Sequence, residues 1–174
     1  MICWINIIRV IKMMIGKNEK GAREILHFFA NELKDATCSR SHHLSEKGGL
    51  LTHLENTFNV AKRYFPEDNV LQFLALIHDI GKARTYTDYA DAEGKFDFKR
   101  PHTDHTVNTF IMLGEYGISL SPEEVNAIQF HHGGWSRYDG DMTELAVKLH
   151  FCDSLATASE YINGDKSSEV SEWL

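Results

Sequence analysis

Residues 70–82 read VLQFLALIHDIGK. The span Val70–Ile77 is almost continuously apolar, the pattern of a helix buried on every side and not of an amphipathic surface helix. It runs directly into His78-Asp79 and stops near Gly81. A histidine and an aspartate therefore cap the most apolar segment of the chain. An ionised carboxylate buried there costs on the order of several kcal/mol or more unless it is paired or bound to a metal. The segment predicts both a helical core and a polar group that needs compensation at its end.

Working outward, the same helical period recurs on both sides. Upstream, Lys20–Lys34 carries Ile25, Phe28, Phe29 and Leu33 at helical intervals. Gly48-Gly49 then opens a helix with Leu50, Leu51, Leu54, Phe58, Ala61 and Phe65 on one face, closed by Pro66. Downstream, residues 83–103 break the period. Tyr86, Tyr89, Phe96 and Phe98 flank Asp91-Ala92-Glu93-Gly94, which predicts a small hairpin or ordered loop. Helical patterning returns from about Asp104 to Gly117. The run Ser121-Pro122-Glu123-Glu124 is a capping box with proline at the first helical position, and its helix carries Val125, Ile128 and His131-His132 before ending at Gly133-Gly134. A last helix, about 143–163, places Leu145, Leu149, Cys152, Ala156 and Ser159 inward, and a polar tail spans 164–174. The fold class expected is all-α, one domain over 1–174, with an insertion at about 83–103.

Residues 1–15, MICWINIIRVIKMMI, are apolar enough to raise a membrane question. The run is shorter than the roughly 18–20 residues a spanning helix needs, and Arg9 and Lys12 interrupt it. A signal peptide fits badly, with no basic region before it and no small-residue cleavage site after it. The spacing of Trp4, Ile7, Ile8, Ile11, Met14 and Ile15 instead predicts a helix docked on the core or on a second copy of the chain, which makes a homo-oligomer an expectation.

The 174 residues include 18 basic and 25 acidic side chains, and the resulting net charge of −7 argues against a protein that coats duplex nucleic acid. Three scattered cysteines with no C-x-x-C pair argue against a disulfide scaffold or a thiolate zinc site and favour a cytoplasmic location. Ten histidines are the unusual feature of the composition, and histidine is both the commonest metal ligand and a common general acid–base.

Five successive segments deliver ligand-type residues beside apolar ones: His53, His78-Asp79, His105, His131-His132 and Asp153. Each gap between them fits about one helix and a connection, so each helix can bring one ligand to a common centre. Asp153 lies beside Leu149, Cys152 and Ala156 on a buried face. A divalent cation would compensate all of these groups at once. His27, His42, His43, His102 and His150 are expected to be ordinary capping or core histidines. A histidine and carboxylate set without sulfur suits manganese, iron, cobalt, nickel, zinc or magnesium.

The order His53, His78-Asp79, Asp153, with the strings GGLLTHLENT, LALIHDIGK and LHFCDSLAT around them, resembles the HD-domain superfamily of metal-dependent phosphohydrolases over about residues 42–160. The resemblance implies an all-α HD-domain bundle in which His53, His78, Asp79 and Asp153 hold one metal. It further implies that His105 and His131 complete a second site bridged by Asp79, as in binuclear members including the HD-GYP type. The GYP tripeptide itself is absent. His132 is a further ligand or a substrate contact. Lys82, in the position where similar proteins hold a phosphate, joins Asp79 as a catalytic candidate.

Among the arginines, Arg84 is a weaker substrate-binding candidate, as are Arg100 and Arg137. The expected activity is hydrolysis of a small phosphorylated substrate, a nucleotide by preference, with two divalent metal ions. Three alternatives stand beside it. A 3′-to-5′ exonuclease is suggested by the stretch from His42 to His53. A di-iron oxygenase would use the same ligand set, and a nucleotide-binding regulatory subunit would have no turnover.

Overall fold

The computed structural model describes residues 16–39, 43–87 and 104–163. The described chain folds as α1 (Glu19–Phe28), α2 (Ala30–Leu33), α3 (Gly49–Tyr64), α4 (Asn69–Ile77), α5 (Lys82–Thr87), α6 (His105–Tyr116), α7 (Pro122–Phe130), a single 3-10 turn (Gly133–Trp135) and α8 (Glu144–Asn163). No strand occurs among the described residues. No helix among them is long and apolar enough to cross a membrane.

Helix α4 is the axis of the bundle. Seven successive residues, Leu71 to Ile77, are buried, because α1, α3 and α8 pack around it. Its start is set by Asp68, whose side chain accepts from the Leu71 N–H. Helix α3 lays Leu50, Leu54, Phe58 and Ala61 against it, and α8 contributes Leu145, Leu149, Cys152 and Ala156, packing on both α3 and α7. Helix α7 begins with the capping box read from the sequence, Ser121 and Glu124 bonding each other's backbone N–H groups. Glu124 also pairs with Lys17, tying the chain before α1 to the start of α7.

The residues beyond His78 turn sharply, and Gly81 permits the turn. A Cβ placed there would lie 2.0 Å from the His105 carbonyl oxygen and 2.4 Å from the Thr109 nitrogen. Thr109 clips the approach. Its hydroxyl donates to the His78 carbonyl at 3.1 Å and accepts from the Gly81 N–H at 3.0 Å. The end of α4 and the start of α6 are thus held backbone to backbone, which brings His105 to the His78-Asp79 corner.

One expectation needs correction. The insertion expected at about 83–103 does not begin at 83, because Lys82–Thr87 is helical. The Arg84 and Thr85 N–H groups bond back to the Gly81 carbonyl, and α6 packs along this turn, so tertiary contact overrides the strand preference of Thr85, Tyr86 and Thr87. The remainder of the insertion, the N-terminal stretch 1–15, the tail 164–174, Arg100, His42 and His102 lie outside the described residues.

Two glycine substitutions separate the roles of backbone space and backbone entropy. Gly81→Ala should destabilise the protein by about 2–3 kcal/mol, because the new methyl meets backbone that cannot yield. Gly114→Ala, in α6 with open space around it, should stabilise by about 0.5–1 kcal/mol. Urea denaturation midpoints of the two variants check this; equal shifts would show that the close approach at Gly81 is unimportant.

Candidate metal centre

Two helices end in histidines aimed the same way. His78 and His131 are the C-cap residues of α4 and α7, and each ring is tied to the last turn of its own helix. His78 Nδ1 donates to the Ala75 carbonyl at 3.0 Å, and His131 Nδ1 donates to the Ile128 carbonyl at 2.6 Å. In the neutral ring each bond places the proton on Nδ1 and leaves Nε2 as the acceptor facing inward. Both helices also direct their negative dipole ends at the same point, which favours a cation there.

Asp79 occupies that point. Its Oδ1 lies 3.3 Å from His105 Nε2 and 3.4 Å from His131 Nε2. Its Oδ2 lies 3.5 Å from His78 Nε2, 3.7 Å from His53 Nε2 and 2.5 Å from Lys82 Nζ. Asp153, from α8, stands 3.0 Å from His53 Nε2 and 3.9 Å from His78 Nε2. The Nε2 atoms of His53, His78, His105 and His131 and both oxygens of Asp79 are buried without a directed hydrogen bond. Such a concentration of unsatisfied polar atoms is costly in a folded protein unless something else satisfies it.

The atoms fall into two groups tight enough to hold an ion each. Asp79, His105, His131 and His132 form one; His53, His78 and Asp153 form the other. Nitrogen and carboxylate donors of this kind suit divalent transition metals, so the residues present fit the metal ions expected of them. The structure brings together all six residues proposed as ligands. His132 joins them, its ring 3.9 Å from that of His131 and 5.1 Å from that of His105. The adjacent pair therefore contributes both rings to one half of the centre.

Lys82 belongs to the centre as well, buried against Asp79 and lining a cleft of about 530 Å³ together with His132, Trp135, Asp153, Ser154 and Tyr161. Arg84 does not. Its guanidinium is gripped by Glu32 at 2.7 and 3.0 Å and by Glu115 at 2.9 and 2.8 Å, clamping α2, α5 and α6 together. The guanidinium expected to contact substrate thus meets carboxylates on both sides and lies outside the residues lining the cleft. Arg137 lines a second cleft of about 240 Å³, on the far side of His132. His27 is exposed in the last turn of α1, and His150 donates through Nδ1 to the His131 carbonyl at 2.7 Å.

Three contributors were not singled out from sequence. Glu160 holds His53 Nδ1 at 3.0 Å and is itself buried, with Asn56 donating to it at 3.0 Å. It follows Asp153 by two helical turns, a same-face spacing that was available as a signal. Cys38 and His43 lie on the same side, with Lys82 Nζ 3.8 Å from Cys38 Sγ.

Electrostatics divide the histidines. Burial pushes His78 and His105 down to about 4 and His132 down to about 2. Burial acts the same way on His53, but Cys38, Asp153 and Glu160 outweigh it and raise its pKa well above the ordinary value. His131 is raised too, by Asp79 against the effect of burial. Asp79 is held well below the usual carboxylate range, where Lys82 and the neighbouring histidines overcome its burial.

The family model for the HD domain matches residues 50–158. The chain belongs to the HD domain family, a family of metal-dependent phosphohydrolases. Comparison with curated proteins and with solved structures gave no match.

Two predictions follow from the ligand supports and their charges. Glu160→Gln should weaken cation binding at the His53 side by about 10- to 100-fold, because the carboxylate orients the ring and raises its basicity. Titration calorimetry with manganese checks it, and unchanged affinity would make Glu160 a packing residue only. The metal-free protein should be most stable near pH 6.5. Below that value the unfolded chain binds more protons than the folded one at His78, His105 and His132, so stability falls with pH. Above it, the stability contributed by charged His53 and His131 is lost as pH rises through their folded pKa values, and the Cys38 thiol, lowered to about 6 chiefly by His53 and Lys82 against its burial, offsets only part of that loss. Denaturant midpoints across a pH series give the profile, and a monotonic curve would contradict this division.

Proposed function

We propose that the protein is a metal-dependent phosphohydrolase that cleaves a phosphoester or phosphoanhydride of a small phosphorylated substrate, a nucleotide by preference. The observation that carries this reading is the convergence of six buried, undirected ligand atoms beside a charged lysine that lines a cleft. Two divalent cations held by His53, His78 and Asp153 and by Asp79, His105 and His131 would supply an activated water and an electrophile for phosphoryl oxygens.

The chain's own residues do the rest. Asp79 spans both ligand groups, one oxygen towards each, and so sets their spacing. Lys82 stays protonated, since Asp79 and Cys38 raise its pKa despite burial, and it offers a fixed positive charge to a phosphate entering the cleft. His132 remains neutral at physiological pH, with burial as the main cause, and can donate a hydrogen bond to a substrate oxygen from between the two clefts. Arg137, exposed at the second cleft, is placed to meet an outer phosphate.

The preference for a nucleotide rests on two aromatic side chains at the cleft. Trp135 is 90% exposed and borders both clefts, and Tyr161 is 59% exposed on the other wall of the larger one. Large exposed aromatics beside a phosphate-binding cavity are natural stacking surfaces for a base.

The test is phosphate release from nucleoside mono-, di- and triphosphates by manganese-loaded protein. Asp79→Ala should remove both metal and activity. Lys82→Ala should lower kcat/KM by about 10²-fold with metal content kept. Trp135→Ala should raise KM for a nucleotide by about tenfold, about 1.4 kcal/mol, while leaving a phosphate ester without a base unaffected. Metal binding without phosphate release from any of these substrates would sink the hydrolase reading.

A further inference from the structure

Cys38 and Ser39 are hydrogen-bonded to Leu44 and His43. The Cys38 N–H donates to the Leu44 carbonyl at 3.0 Å, and Ser39 Oγ donates to the His43 carbonyl at 2.6 Å. Leu44 takes a left-handed φ of 47°, a conformation uncommon for leucine, and Gly49 admits its carbonyl so closely that a Cβ would lie 2.2 Å away. These constraints hold Cys38 Sγ 3.4 Å from His43 Nε2. One donor atom each from Cys38, His43 and His53 lies within 4.8 Å of the others. His43 Nε2, the nitrogen that faces Cys38, also stands 3.5 Å from Glu160 Oε2, which links this corner to the carboxylate that supports His53.

The separation matches a coordination shell. With zinc–sulfur and zinc–nitrogen bonds of about 2.3 and about 2.05 Å, sulfur and nitrogen on a tetrahedral ion stand about 3.6 Å apart. His53 is shared with the His78–Asp153 group, so sulfur enters the same half of the centre and does not form a remote site.

Resting on the metal-centre reading above, we propose that Cys38 and His43 extend the His53 side of the centre into a sulfur-containing site for a borderline divalent cation: zinc, cobalt(II) or iron(II). Cys38 binds as the thiolate, releasing its proton to solvent, and the ion joins sulfur to the imidazoles of His43 and His53. Magnesium and calcium, which take oxygen ligands, are disfavoured by this donor set. The site departs from the all-nitrogen-and-oxygen set expected from the sequence.

The test loads metal-free, full-length protein with cobalt(II) under anaerobic conditions and reads the near-ultraviolet absorption together with cobalt content. Wild type should show an intense sulfur-to-cobalt charge-transfer band. The band should vanish in Cys38→Ser and persist in Cys3→Ser and Cys152→Ser, while His43→Gln should weaken cobalt binding about tenfold or more. Cobalt bound without the band, or a band that survives Cys38→Ser, overturns the proposal and leaves the histidine–aspartate centre standing. No bound cobalt overturns both. If circular dichroism shows that Cys38→Ser does not fold, X-ray absorption on zinc-loaded wild type decides: a sulfur scatterer at about 2.3 Å supports the site, and nitrogen and oxygen scatterers alone overturn it.

Discussion

Asp79 is fully buried, and four imidazole Nε2 atoms stand 3.3 to 3.7 Å from its two oxygens. A carboxylate in that position is stable only if positive charge surrounds it, because water is excluded. In the protein by itself, Lys82 and the charged members of the histidine set meet that need. The rest of the architecture follows from bringing five elements to this one anion. Helices α4 and α7 end at it, α6 begins at it, and α3 and α8 reach it from their middles.

The ligand histidines are held as firmly as the aspartate is buried. His78 and His131 lock to carbonyls of their own helices, while His53 depends on a carboxylate from another helix. The first two are local devices, built by a histidine at a C-cap. The third is a long-range pairing between His53 and Glu160, 107 residues apart. The charges then divide: burial favours the neutral form of His78, His105 and His132, whereas Cys38 and the carboxylates around His53, and Asp79 beside His131, raise the pKa of those two rings, so a cation binding there competes with a proton.

Among the described residues, the centre opens towards two clefts. The core of α4 seals the inner face, and the two clefts meet around His132 and Trp135. Of the cations near the motif, the fold buries Lys82 in the centre and turns Arg84 away to bind Glu32 and Glu115 between helices. Two basic residues only two positions apart thus take different places, one beside Asp79 and the other joining α2, α5 and α6.

Much of this was legible in the linear chain. The apolar run before His78-Asp79, the capping box at Ser121 and the even spacing of His53, His105, His131 and Asp153 are local signals, and periodicity reports them directly. They suffice for an all-helical bundle and for the convergence of these side chains on one centre. The helix at Lys82–Thr87, the clamp on Arg84, the Glu160 support of His53 and the approach of Cys38 and His43 were not read. Glu160 shares a face with Asp153, but its partner is set by how α3 crosses α8. Cys38 and His43 become neighbours of His53 only because a loop closes through Leu44 and Gly49. A side chain's face follows from the turn of its own helix, whereas its partner depends on packing between segments far apart in the chain.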